Sequence, residues 1–223
     1  MNKSIFILIF TVAIAACNNN NNNTSQEVKQ DTAVTDSNGV AVPSAPIEDR
    51  TIVPANDSAV IPLTNQILAD IKKKDYQKFA EYFHPTDGIR FSPYGYVDTV
   101  RDVHLSRDKF IQILKNNQQK LNWGSYDGSG DPIMLTVPAY FAKFVYDVDF
   151  LKPEKSSLNK SIGFGNSLNN LEKVYPGCPF TERHFSGFEK KYEGMDWRSL
   201  RLVFKKYSGK YYLVGVVHDQ WTI

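Results

Sequence analysis

Four polar side chains near the C-terminal end of the sequence could do chemistry. His218 and Asp219 are neighbours, and Arg198 and His184 lie in runs that also read as strands. If the two last runs fold back on one another at Ser208-Gly209, Arg198 faces Asp219 across the pair. At the mouth of a curled sheet such a set can line a small-molecule pocket. In an enzyme the Asp–His pair would serve as general base and acid. The plainer reading is a structural Arg198–Asp219 ion pair with His218 as a hydrogen-bonded strand residue, because buried charges are paired for solvation alone. We adopt the plainer reading and assign no catalytic residue.

Aromatic side chains offer a second kind of chemistry. Trp123, Tyr126, Trp197 and Trp221, with Tyr94 and Tyr96, could stack on a sugar or another flat ligand, although most aromatics in a chain of this kind belong to the core. The pocket candidates are therefore Arg198, Asp219, His218, His184, Trp123 and Tyr94.

Metal and cofactor motifs are weak. The histidines are His84, His104, His184 and His218, none paired at metal-ligand spacing. Asp127, Ser129 and Asp131 alternate like calcium ligands, but a calcium loop then needs glycine and glutamate where this chain has Pro132 and Pro138. That segment reads as a glycine-rich turn. Gly163-Phe164-Gly165 lacks the third glycine and the strand entry of a nucleotide fingerprint. Cys178, between Gly177 and Pro179, could be a nucleophile with His184, but no family signature surrounds it, and it reads as a half-buried structural thiol. No metal and no cofactor is expected.

The elements that must position these residues follow from periodicity. Leu63, Ile67, Leu68 and Ile71 recur at helical spacing, with Thr64 as N-cap. Asp75 caps a short second helix through Tyr76, Phe79, Ala80 and Phe83, which His84-Pro85 ends. Ile89 to Val97 reads as extended. Ser106 caps a helix through Phe110, and Thr136 caps another through Tyr140 and Phe144. Trp123 to Pro132 and Pro153 to Ser167 read as loops, Leu168 to Val174 is ambiguous, and Phe180 to Phe188 is a strand. The strongest signal is the hairpin of Trp197–Lys206 and Tyr211–Trp221. Its reverse face, with Val203, Val214 and Val216, is too apolar for water and requires a second layer or a partner. This order is α+β: N-terminal short helices packed on a curled antiparallel sheet that ends in a long C-terminal β-hairpin.

The leading residues carry a different message. A basic start at Lys3 and an apolar run from Ile5 to Ala16 form a secretory signal pattern, too short to cross a bilayer as a helix. The run ends Ile14-Ala15-Ala16-Cys17, which resembles the bacterial lipobox. The resemblance implies cleavage before Cys17 and acyl chains on that cysteine, which would anchor the chain to a membrane. Residues 1–16 are then signal peptide. Residues 17–57, an asparagine run followed by an aromatic-free Ser/Thr/Pro stretch, form a disordered tether, and 58–223 form one globular domain. Asn18 is not the aspartate that retains lipoproteins at the inner membrane, and no acid follows before Glu27. The expected location is the outer membrane, facing the periplasm.

With 26 basic and 24 acidic side chains, the chain lacks the clustered basic footprint of nucleic-acid binding. The hairpin sequence Trp197-Arg198-Ser199-Leu200-Arg201-Leu202-Val203-Phe204 with Gly209-Lys210-Tyr211-Tyr212-Leu213-Val214-Gly215-Val216, and the Lys74-Asp75-Tyr76 corner, resemble the nuclear-transport-factor-2-like (cystatin-like) superfamily. Arg90-Phe91-Ser92-Pro93-Tyr94, Trp123 to Gly130 and His218 to Trp221 resemble segments of uncharacterised bacterial lipoproteins. Neither resemblance implies one activity, since the superfamily holds isomerases, dehydratases and binding modules. The expected function is a lipid-anchored envelope protein that binds a small molecule or an envelope protein without catalysis. A pocket hydrolase or isomerase using Asp219 and His218 is the alternative, and a structural subunit, possible as a homodimer through the Val203/Val214/Val216 face, the third reading.

Overall fold

The computed structural model describes residues 57–116, 118–166 and 168–222. Cys17, the expected signal and the expected tether up to residue 56 lie outside them; Asp57, the last residue of that expected tether, is held by Asn159 and Tyr211 and belongs to the domain. Helix α1, Val60–Lys72, buries Val60, Thr64, Ile67, Leu68 and Ile71 along one stripe. It begins earlier than the spacing of its leucines and isoleucines predicts, because Val60 extends the apolar face by one turn. Thr64 is therefore not its N-cap; Ala59 holds that position. The Thr64 hydroxyl instead meets that of Thr181 on the sheet at 2.8 Å. A left-handed residue, Lys74, ends the helix. Asp75 then caps α2, Tyr76–Ala80, by accepting from the Lys78 amide at 3.0 Å. Ser106 caps α3, Arg107–Leu114, in the same way. Thr136 caps α4, Val137–Tyr140, which continues as one π-turn over Phe141–Val145.

Strands β1 (Ile89–Ser92), β2 (Val103–Leu105), β5 (Lys155–Leu158), β6 (Phe180–Phe185), β7 (Arg198–Tyr207) and β8 (Lys210–Gln220) make a six-stranded sheet in the order β2-β1-β8-β7-β6-β5. It is antiparallel except where β1 runs parallel to β8. A separate hairpin joins β3 (Lys120–Ser125) to β4 (Pro132–Thr136). The α+β architecture with its long terminal hairpin is thus observed. Strand β5 lies where the sequence reads as loop, and β3 and β4 run into the two ends of the Trp123–Pro132 stretch that also reads as loop.

The two sheet faces are built differently. Leu200, Leu202, Phe204, Leu213 and Val216 join the helices and the ring cluster of Phe79, Phe83, Phe91, Phe110 and Phe141 in the main core. The reverse face holds a smaller cluster of Val97, Leu171, Phe180, Val203, Val214 and Val217. The segment around Val97 and the stretch from Leu171 to Cys178 cover it. Asn170, just before helix α5 (Leu171–Val174), clamps the Val97 backbone on both its amide and its carbonyl. The second layer demanded by the apolar reverse face is therefore this chain's own. Val203 and Val214 are buried on it and Val216 is buried on the other face, so the three do not form a surface for a second copy.

The β7–β8 register contains one correction. Near the turn the pairs run as predicted, Tyr207 with Lys210 and Phe204 with Leu213. A bulge then places Val203 opposite Gly215, and every later pair is displaced by one residue. Leu200 faces His218, not Val217, and Arg198 faces Gln220, not Asp219. A bulge adds one residue to one strand only, so Asp219 leaves the face of Arg198.

Leu202 is almost fully buried at the centre of the main core, whereas Ser106 acts through its cap alone. Leu202→Ala should cost about 3 kcal/mol of unfolding free energy and Ser106→Ala about 1 kcal/mol, measured by urea denaturation. Equal losses would contradict this division between core and cap.

Candidate functional site

A cleft of about 490 Å³ is lined by Tyr94, Tyr96, Asp98, Arg101 and Asp102 from one segment and by Gly124, Tyr126, Asp127 and their neighbours from the β3–β4 hairpin. Tyr94 fastens the two sides together, its hydroxyl accepting from the Asp127 amide at 3.1 Å. The hairpin turn is closed by its own backbone, Tyr126 N to Asp131 O at 2.8 Å and Gly130 N to Tyr126 O at 2.9 Å. Asp127, Ser129 and Asp131 therefore build a turn. Lys143 lies over the Tyr126 ring at 5.0 Å.

The opposite wall is organised by carboxylates. Asp98 Oδ1 accepts from the amides of Val100 and Arg101 at 2.9 and 3.0 Å, and these bonds hold its carboxyl below the usual range. Asp102 Oδ2 accepts from the Ser92 hydroxyl and from the Asp98 amide. Arg90 on β1 donates to the Asp102 carbonyl at 3.2 Å. Burial outweighs these bonds and lifts the Asp102 carboxyl to about 6. Tyr140, stacked on Trp123 with ring centroids 3.9 Å apart, has a buried hydroxyl with no hydrogen-bond partner among the described residues, within the electrostatic reach of Asp102 and Tyr94.

The predicted site residues do not converge. Arg198 Nε donates to Asp147 at 2.9 Å. Burial alone would raise the Asp147 carboxyl, but His218 and Arg198 together hold it low. His218 is fully buried, its Nδ1 donating to the Pro93 carbonyl at 3.2 Å and its Nε2 3.4 Å from Asp147. Asp219 lies on the other sheet face, bound to Arg201 Nη1 at 2.9 Å. Arg201 also donates through Nε to Glu182 at 3.0 Å and through Nη2 to the Gly163 carbonyl at 2.8 Å. Ser199 donates to Glu182 at 2.6 Å, with His184 Nδ1 2.8 Å from the same hydroxyl. That trio has serine, histidine and a carboxylate, but the carboxylate holds the serine instead of orienting the histidine, and Ser199 is fully buried. It cannot present a nucleophile.

Trp123 is core, its Nε1 donating to the Leu135 carbonyl at 2.8 Å. Of the pocket candidates only Tyr94 lines the cleft, joined by Tyr96 and Tyr126 from the wider aromatic set. Cys178 is half-buried against the reverse-face cluster, and burial pushes its thiol up, away from nucleophile character. Gly163 and Gly165 serve close approach: a β-carbon at Gly163 would lie 2.5 Å from the Ser199 hydroxyl and 2.7 Å from the Trp197 ring. Sequence reasoning missed Asp98, Asp102, Glu182 and Arg201. For Asp98 a weak signal exists, since an aspartate before Thr99-Val100-Arg101 can accept from its own turn. Asp102 carries none, because its environment is assembled from β1 and the segment after it.

Scanned against models of known families the chain matches none, and it matches no curated protein and no solved structure.

The raised Asp102 pKa sets a pH signature. A carboxyl whose folded pKa lies above its unfolded value contributes stability that is complete below about pH 4 and lost as pH rises through about 6. The difference in unfolding free energy between the native chain and Asp102→Asn should move against the native chain by up to roughly 3 kcal/mol from pH 4 to pH 7. A difference that stays flat over this range would exclude the buried, proton-retaining carboxyl.

Proposed function

We propose that this chain is a lipid-anchored envelope protein whose tyrosine-walled cleft binds a small polyhydroxylated ligand without turning it over. The observation that carries the reading is the combination in one cleft of three tyrosines with the Asp98, Asp102 and Asp127 carboxyls. Aromatic faces take the flat apolar side of a sugar ring, and carboxylates accept from its hydroxyls. The volume falls in the range of small-ligand sites, and one arginine, Arg101, against three acids disfavours an anionic ligand. Anchoring through Cys17 rests on the Ile14-Ala15-Ala16-Cys17 pattern, and the stretch from Asn18 to residue 56 supplies the tether. Among the described residues no helix is long and apolar enough to cross a membrane. The outer membrane, periplasm-facing, is the location this reading assigns.

A second reading, a pocket hydrolase or isomerase, draws support from Asp102, whose pKa near 6 suits a general base. Asp219 and His218 no longer support it, because both are buried and engaged.

Titration with a panel of neutral mono- and disaccharides, followed by calorimetry and tyrosine fluorescence, tests the binding reading. At least one sugar should bind saturably, and Tyr126→Ala should weaken it about tenfold or more, corresponding to the roughly 1.5 kcal/mol of one aromatic contact. A panel with no binder ends the reading; turnover that disappears in Asp102→Asn replaces it with the second.

A further inference from the structure

Asp102 is gripped by one oxygen only. Its Oδ2 accepts from the Ser92 hydroxyl on β1 and from the Asp98 amide, 2.9 Å away. Those two bonds take up both lone pairs of that oxygen. Oδ1 makes no hydrogen bond among the described residues, yet it is not sealed from solvent as Oδ1 of Asp219 is. The residue keeps 8 % of its surface, and it lines the tyrosine cleft.

A carboxyl fixed in this way presents one definite atom to a ligand. Ionised, Oδ1 is an acceptor only. Protonated, the carboxyl must carry its proton on Oδ1, because Oδ2 has no lone pair left, and the same atom becomes a donor. The surrounding charges pull in both directions. Asp98 opposes the negative charge on Asp102 and Arg90 on β1 favours it. The hydroxyls of Tyr140 and Tyr175 feel that charge, but burial keeps both neutral. Arg101 and Asp127 share the cleft lining, and among the described residues no histidine does.

We propose that Asp102 reads the ligand of this cleft: Oδ1 accepts a hydrogen bond from one ligand hydroxyl, and protonation of Asp102, which turns that acceptor into a donor, loosens the ligand. That role rests on the sugar-binding reading of the cleft and adds to it the selecting residue and the condition for release. A hydroxyl also accepts, so protonation weakens the contact without abolishing it. What is lost is the charge-assisted bond, roughly twice as strong as its neutral counterpart. The carboxyl changes state near pH 6, so the loss falls between pH 7 and pH 5.

Asp102→Asn freezes one of the two states. The Ser92 hydroxyl and the Asp98 amide both donate, so they keep the asparagine oxygen and turn its nitrogen to the cleft. The variant then offers a donor at every pH.

The neutral sugar that binds the full chain best, titrated by calorimetry at pH 5, 6 and 7, tests the role. Native affinity should fall from pH 7 to pH 5 by at least about threefold and at most about tenfold, the limit set by the ionised fraction of a group titrating near 6. Asp102→Asn should bind at pH 7 as weakly as the native chain at pH 5, with no trend in pH. Saturating sugar should move the Asp102 titration, followed by its carboxyl carbon-13 shift, to lower pH, because the coupling is reciprocal. Equal native affinity at pH 5 and pH 7, or Asp102→Asn binding as tightly as the native chain at pH 7, would overturn the role of Asp102 and leave sugar binding standing. A panel with no binder at any of the three pH values would overturn both.

Discussion

A single guanidinium ties the reverse face of the sheet to the segments that cover it. Arg201 sits at the centre of β7, fully buried, between Glu182 on β6 and Asp219 on β8. Its remaining nitrogen reaches the Gly163 carbonyl, and Glu182 accepts the amides of Ile162 and Gly163 in return. Asp219 lies against Gly95, where a β-carbon would come within 2.6 Å of its carboxylate. Two carboxylates and one arginine are expensive to bury, and such a set is tolerable only when nearly every lone pair is engaged. Glu182 meets that condition; Asp219 keeps one oxygen without a partner among the described residues, and burial raises its carboxyl even though Arg201 pulls it down.

The same strand end also anchors the cleft. On the core side His218 holds the Pro93 carbonyl, and on the reverse side Asp219 abuts Gly95. Tyr94 lies between them, so its ring is placed by the two faces of β8 at once. From there the chain passes through the Asp98 turn to Asp102, pinned by Ser92 and Arg90 of β1. The residues that first suggested chemistry thus act as scaffold, and the cleft they support carries different acids.

Much of the fold was legible because its signals are local. Asp75, Ser106 and Thr136 cap as their types predict, and Ser208-Gly209 turns the hairpin where expected. The Arg198–Asp219 pairing failed because Val214 forms a bulge, and a valine inside a valine-rich strand carries no mark of one. Strand β5 was invisible for another reason: its Lys-Ser-Ser-Leu sequence pairs only at the sheet edge, where one neighbour suffices and side chains stay half in water. Tyr94 and Tyr126 were found as aromatics with a possible ligand role. Asp102 was not, because its raised pKa comes from burial, which its own sequence neighbourhood does not announce.

If Arg201 holds the covering segments in place, loosening it must loosen them before the helices. Amide hydrogen exchange of the full chain bearing Arg201→Lys, which keeps the charge but loses the fork of donors, reads this directly. The account predicts a drop in protection at residues 93–102 and 160–165 with α1 and α3 unchanged. Unchanged protection in both segments would contradict it.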